Sequence, residues 1–513
     1  MSRKLIKSTL VVSSMTLLSR ITGLVRDVAF ANIMGTAVVA DAFFVAFRIP
    51  NFFRRIFGEG ALSVAFVPVL TDYKEHHGAA ETRHFLDCMA GRLGLILLGV
   101  TAVGVLAAPL LVSAIAYGFR ADPEKFELTV NASRIMFPYL MFISLVAMAA
   151  GILNTYNRFA APAVTPVLLN LSLIAAVLWL VPVMENAAIG LAAGVLVAGM
   201  VQFLFQLPFL EREGLLPRPR LVRRHQGVSQ VFKLMLPALF GVSVAQINLL
   251  VNTLLASFLV TGSVSWLYYS DRLMEFPLGV FGIALATVIL PSLSKKYSHA
   301  SMEEFSDMMD WALRWVCLIV LPATVALCVL PGPLVTTMFQ YGAFSAHDVT
   351  MAGRSLIGFA IGLPALVLVK VLAPGFYARQ DTKTPVRVGV IAMVANIVCS
   401  VALIFHLAHV GLALATSIAA WVNALLLYRI LWREGVYRPR PGWIGFAVRV
   451  TSAAGLMGTL LWWGKGDLAV WVSADLFTRI VRLAFWISCG ATVYFLGILI
   501  SGIRPHQLML EKE

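Results

Sequence analysis

The sequence predicts an all-α polytopic membrane protein of about fourteen transmembrane helices, built as two pseudo-twofold-related six-helix lobes plus two C-terminal helices. Three observations predict it. Of 513 residues, 59% are hydrophobic and only 13% charged, with mean hydropathy +0.85; a soluble domain could not hide that much apolar surface. Apolar stretches of about twenty residues, the length that crosses ~30 Å of hydrocarbon as a helix, recur along the whole chain. The chain also matches itself at a shift of 221 to 224 residues.

The spans follow in order. Their approximate cores begin at Ile6, Asp41, Phe85, Leu128, Ala163 and Ala187, then Val231, Ser263, Met309, Met351, Val386 and Gly411, with two more at Trp443 and Leu476. The first follows Arg3, Lys4 and Lys7 like a signal peptide. It contains Arg20 and Arg26 and lacks a small-residue cleavage site, so it reads as an uncleaved span. No connection is long enough for a soluble domain, and the largest, Glu211 to Gln230, is a basic linker. The expected organisation is an N-lobe over 1–214, a cytoplasmic linker over 215–230, a C-lobe over 231–435 and two added helices over 436–513.

Loop charge sets orientation. One side holds Arg3, Lys4, Lys7, Lys74, Arg83, Arg158, Arg212, Arg218, Arg220, Arg223, Arg224, Lys295, Lys296, Arg379, Lys383, Arg433, Arg438, Arg440, Arg504 and Lys512. The other side has only Arg120, Lys125 and Lys465. The positive-inside bias therefore places both termini in the cytoplasm, with an even number of spans. The net charge of +14 sits mostly in these short loops. It reads as topology and attraction to anionic headgroups, not as a nucleic-acid groove.

The internal repeat has specific landmarks. Gly190-Leu-Ala opens a segment ending Arg212-Glu-Gly214, and Gly411-Leu-Ala opens one of equal length ending Arg433-Glu-Gly435. Pro109-Leu110 and Tyr117-Gly118 match Pro333-Leu334 and Tyr341-Gly342; Tyr156-x-Arg158 matches Tyr377-x-Arg379; Arg48 falls on Arg272. Each copy holds an even number of helices, so both share one orientation, related by an axis along the membrane normal with a site between them. Prolines in or near many spans, such as Pro50, Pro237 and Pro322, predict kinks.

Charges inside these spans point to the working site. The first helix carries Arg20, Arg26 and Asp27; the second Asp41, Arg48, Arg54, Arg55 and Glu59; the eighth Asp271, Arg272 and Glu275. A charge at the bilayer centre costs ~2.5–3.5 kcal/mol even on lenient scales, so these side chains should face protein or water. Asp41, Arg48 and Arg55 recur every seven residues with Phe44 and Asn51 between them, which makes one helical stripe. Ser265, Tyr268, Arg272 and Glu275 make the corresponding stripe on the eighth helix. Arginine presents a rigid fork of donors to phosphate or carboxylate and stays charged when desolvated. Arg20, Arg26, Arg48 and Arg272 are therefore read as facing an anionic ligand. A self-satisfied ion-pair network competes as the reading of Arg54, Arg55, Asp27 and Asp271.

Catalytic motifs are absent: there is no P-loop, HExxH, paired-Asp metal motif or nucleophile elbow. Cys88, Cys317, Cys328, Cys399 and Cys489 show no metal-ligand spacing and read as packing residues. His76, His77, His84, His225 and His299 read as solvated loop residues. No catalytic residue, metal or cofactor is expected.

Longer motifs carry a family resemblance. Ser13-Ser-Met-Thr-Leu-Leu-Ser-Arg20, Arg26-Asp27, the run from Asp41 to Phe57, the run from Gly262 to Pro277, and Lys370-Val-Leu-Ala-Pro-Gly-Phe-Tyr377 resemble the MurJ (MviN) family, the lipid II flippases of the MOP exporter superfamily. The similarity extends over essentially the full length. It implies two lobes around a cationic cavity, alternating access across the bacterial inner membrane, and a lipid-linked disaccharide-pentapeptide as cargo for peptidoglycan synthesis. The family's important arginines match Arg20, Arg26, Arg54 and Arg272, with Asp41 and Glu275 in motif. Arg48 stands where relatives often carry lysine. The last two helices resemble those assigned to a groove for the polyprenyl tail. Some relatives bind sodium through acidic residues in the second lobe; here Asn248, Asn252 and Asn396 occupy apolar cores without a carboxylate.

The resulting expectation is a flippase that moves lipid II from the cytoplasmic to the periplasmic leaflet, a transporter and not an enzyme. Arg20, Arg26, Asp41, Arg48, Arg54, Arg272 and Glu275 would engage cargo, supported by Asn51, Arg55, Glu59, Ser265 and Asp271. Membrane potential, worth ~2.3 kcal/mol per charge per 100 mV, could reset an arginine-rich cavity. Its partners would be lipid II and membrane lipids, without nucleic acid, and it would work as a monomer beside the cell-wall synthesis machinery. Two alternatives are a flippase for another polyprenyl-diphosphate-linked glycan and a MATE-like drug antiporter, which would favour a carboxylate-dominated, aromatic cavity. A membrane glycosyltransferase would need a larger catalytic loop than Tyr117 to Asn131.

Overall fold

A run of apolar residues in lipid must satisfy its backbone within itself, which leaves the helix as the economical answer. The computed structural model describes residues 3–222, 225–279 and 302–503, and among these it is helical with no strand. Nine helices among the described residues are long and apolar enough to cross a membrane. Each predicted span start falls inside a described helix. The starts at Val386 and Gly411 share one 51-residue helix, broken by non-helical geometry at Ala408 (φ 48°, ψ −128°). The loop residues Arg223, Arg224, Lys295, Lys296, His299, Arg504 and Lys512 lie outside the described residues, as do the side chains of Arg3, Lys4, Lys7 and Glu59.

The chain divides into two compact units, Met1–Val264 and Ser265–Glu513. The first contains α1 (Arg3–Met34), α2 (Val38–Phe53), α3 (Ser63–His76), α4 (Gly78–Leu106), α5 (Ala108–Ile115), α6 (Pro123–Met136), α7 (Tyr139–Thr155), α8 (Ala160–Ala175), α9 (Ala187–Arg212) and α10 (Gln226–Ser257). Pro50 lies inside α2, and a wide π-type turn over Arg54–Leu62 joins α2 to α3. The core around Phe66, Phe85, Met89 and Ile152 packs α3, α4 and α7 with the start of α10.

The second unit holds α11 (Ser263–Pro277) from Ser265 onward, α12 (Met302–Val329), α13 (Pro331–Phe339), α14 (Ala346–Ala360), α15 (Leu363–Tyr377), α16 (Lys383–Arg433), α17 (Trp443–Lys465), α18 (Leu468–Val472) and α19 (Leu476–Ile500). The two helices beyond the repeat, α17 and α19, pack against α12 through Val450, Met457, Leu461, Tyr494 and Leu318. Tyr494 donates its hydroxyl proton to the Leu318 carbonyl at 2.6 Å. Buried Arg479 donates to the carbonyls of Trp471 (2.9 Å), Val472 (2.7 Å) and Gln340 (3.0 Å), tying α18 and α19 to the end of α13.

The repeat reappears as local structure within each unit. Arg158 pairs with Glu213 at 2.7 Å in the first, and Arg379 with Glu434 at 2.7 Å in the second. These are the residues that the Tyr-x-Arg and Arg-Glu-Gly landmarks align. Gly214 and Gly435 follow at φ +66° and +70°, where a β-carbon would be strained. Both close their helix in the same way: Leu215 N–H donates to Leu210 O (2.8 Å) and Val436 N–H to Leu431 O (3.0 Å). Short α5 and α13 both begin with proline in the first turn, where a missing N–H costs nothing.

Candidate functional site

The charges of the seven-residue stripe that begins on α2 find partners on different elements of the first unit. Asp41, 1% exposed, accepts from Lys125 Nζ at 2.9 Å and from the Gly262 N–H at 2.8 Å. Arg48 donates through Nη1 to Thr253 Oγ1, and Thr253 itself is fully buried on α10. Arg55 reaches Gln246 Oε1 at 3.4 Å. Thr253 and Gln246 both lie on α10, so half-buried Arg48 and exposed Arg55 reach the same helix. Arg54, half-buried on the π-type turn, is steadied by Asn51 Oδ1 at 3.2 Å. An extra residue in that turn re-aims side chains, a common device at functional positions in helices.

On α1 the arginines differ. Arg26 is 7% exposed and divides its fork between Asp27 Oδ1 (Nη2, 2.7 Å; Nε, 3.0 Å) and Asn170 Oδ1 on α8 (Nη1, 2.8 Å). Asn170 also donates to Ser19 O at 2.8 Å, which clasps α1 to α8. Arg26 therefore spends donors on holding its own unit together, contrary to a purely ligand-facing reading. Arg20 lies earlier on α1 and is half-buried.

In the second unit, three residues of the stripe expected on α11 touch one another: Tyr268, Arg272 and Glu275. Arg272 pairs with Glu275 at 2.6 Å and lies 4.9 Å over the Tyr268 ring. Their side chains are 33% and 42% exposed, while Ser265 is fully buried and Asp271 half-buried. The opposite face of α11 is anchored to α14: Trp266 Nε1 donates to Asp348 Oδ1 (2.9 Å) and Ser270 Oγ to Ala352 O (2.7 Å). That anchoring fixes the rotation of the helix, so Arg272 and Glu275 are presented on the other face.

Lys125 was missed by the sequence reading, which counts it as a loop charge. It sits in the first turn of α6, 4% exposed, against Asp41, with Thr261 Oγ1 at 3.3 Å and the Phe119 ring at 4.2 Å. The proline-led, Asp122-capped start of α6 could have marked it as helical. Its partner Asp41 is 84 residues away, and no local pattern shows that. Asn170, Thr253 and Arg479 were missed for the same reason.

Buried Arg26 and half-buried Arg20, Arg48, Arg54 and Arg272, in a helical chain with nine apolar spans among its described residues, define a polytopic membrane protein that keeps charge within its fold. The profile described as "Lipid II flippase MurJ" matches residues 30–482. A Vibrio cholerae protein named "Probable lipid II flippase MurJ" is 46% identical, covering 100% of this chain and 99% of its own length. A Burkholderia cenocepacia protein named "Lipid II flippase MurJ" is 42% identical over 98% of each. The chain belongs to the MurJ family of lipid II flippases. A solved structure of "Lipid II flippase MurJ, inward closed conformation" superposes with TM-score 0.81 at 26% identity, covering 96% of this chain and 98% of that one. An inward-facing MATE multidrug transporter of the MOP superfamily shares the fold, with TM-score 0.68 at 14% identity over 83% of this chain.

Proposed function

We propose that this chain moves lipid II from the cytoplasmic to the periplasmic leaflet of the bacterial inner membrane by alternating access. Family membership, together with the arginine-bearing faces of α2 and α11, carries the reading. In it, Arg20, Arg48, Arg54 and Arg272 bind the diphosphate and nearby sugar-peptide groups, where guanidinium forks make paired charge-assisted hydrogen bonds. Asn51 orients Arg54, and Glu275 orients Arg272 and offsets its charge between cargoes. Arg26 and Asp41 hold the frame through Asn170 and Lys125. The chain acts as a monomeric carrier and not a catalyst, with about fourteen spans, lobes over 1–214 and 231–435, the linker 215–230 between them, and the helices of 436–513 along the polyprenyl tail. Both termini are cytoplasmic, as the basic residues around Lys74, Arg158 and Arg218 support.

A cation-exporting antiporter of the same fold would need acids to dominate these faces; here arginines do. Replacing Arg272 with Ala should abolish lipid II translocation while the purified protein stays monodisperse. Normal translocation by that variant would refute the assignment.

A further inference from the structure

Three side chains that the sequence reading treats as unrelated converge at the basic end of the first unit. His84 is not a loop residue: it lies on α4, one turn before Cys88, and His225 ends the strap that leads from α9 to α10. Cys88 Sγ is 3.7 Å from His84 Nε2 and 4.0 Å from its Nδ1. The His84 and His225 ring centroids are 5.4 Å apart. One ligand atom from each of the three lies within 4.8 Å of the other two. A tetrahedral zinc ion with bonds of ~2.0–2.3 Å holds its sulfur and nitrogen ligands roughly 3.3–3.6 Å apart. Small side-chain rotations close that difference.

A second observation points to a ligand. The Nδ1 of His225 is buried and has no hydrogen-bond partner among the described residues. A buried polar atom left so is costly unless something satisfies it, and an ion is one such partner. Cys88 is buried, whereas His84 and His225 are half-buried, so the centre is reachable from one side. The rings of Tyr73 and Phe85 lie 5.8 and 5.7 Å from that of His225 and form an apolar surround.

The strap is pinned to α4 at Arg218 and Arg220. Arg218 N–H donates to Asp87 Oδ1 at 2.7 Å and Arg220 N–H to Asp87 O at 3.0 Å, beside the Cys88 turn. At Gly91 a β-carbon would come within 2.3 Å of the Arg220 carbonyl oxygen, so the strap backbone lies directly on α4.

We propose that His84, Cys88 and His225 form a site for one zinc ion that clasps the strap preceding α10 to α4. Two neutral imidazoles and one thiolate supply three ligands, and water completes the tetrahedron. The thiol proton passes to bulk water as the zinc–sulfur bond forms. The site is separate from the transport arginines and does not depend on the flippase reading.

The test uses the tag-free, full-length chain in detergent, stripped with chelator and titrated with cobalt(II) as a zinc probe. The proposal predicts one cobalt per chain, with a thiolate-to-cobalt charge-transfer band that zinc abolishes. Cys88→Ser should lose the band. His225→Ala should weaken binding more than about 100-fold, since even outer-shell changes cost 10–100-fold. Zinc should also slow hydrogen exchange across the strap in the parent protein but not in His225→Ala. No band in the parent chain at saturating cobalt would overturn the proposal, whatever the variants do. A band that persists in Cys88→Ser would overturn it too.

Discussion

Replacing Lys125 with Met removes the ammonium group from a carboxylate that is 1% exposed, while the Gly262 N–H still points at it. Losing one partner of a buried ion pair costs roughly 3–5 kcal/mol, because the remaining charge stays desolvated. Adding Asp41→Asn removes that charge as well, and paired removal is often close to neutral. The double variant should therefore be more stable than Lys125→Met alone, by about 2–4 kcal/mol. The first unit is 264 residues long, and at that size 1 kcal/mol moves a melting temperature by roughly 2–4 °C. Lys125→Met should then melt on the order of 10 °C below the parent, with much of the loss recovered in the double variant. Tryptophan fluorescence of the purified protein during heating reads this directly. If the two substitutions simply add, Asp41 and Lys125 are not coupled, and the account of Asp41 as part of the frame fails.

Two further outcomes follow from the geometry. Arg479→Leu should cost about 3 kcal/mol, since at least two buried carbonyls lose a charged donor; Arg479→Lys should recover less than half, because an ammonium cannot span Trp471, Val472 and Gln340 together. Gly214→Ala and Gly435→Ala should each cost at least about 1 kcal/mol in the same melting assay, both residues being held in left-handed geometry at matching helix ends; no loss at either would argue against that geometry.

The stripe Asp41–Arg48–Arg55 was legible because helical spacing is local and charges in apolar spans stand out. Its partners were not. Lys125, Thr253 and Gly262 meet it across 84, 205 and 221 residues, and nothing in a single sequence marks which polar residue closes which contact. The same limit blurred the role of Arg26, whose neighbour Asp27 was visible but whose acceptor Asn170 was not. The repeat was legible as matched words, and the paired Arg158–Glu213 and Arg379–Glu434 bridges explain why those words recur. His84 and Cys88 showed helical spacing but read as solvated and packing residues, since the strap that brings His225 to them has no periodic signature.

The central claim is that the arginine-bearing faces carry lipid II across the membrane. Its most direct test is depletion of this protein in growing cells, followed by a leaflet assay for lipid II. The account predicts that lipid II accumulates in the cytoplasmic leaflet and disappears from the periplasmic one, with rescue by the parent chain and none by Arg272→Ala. Undiminished lipid II in the periplasmic leaflet after depletion would contradict it.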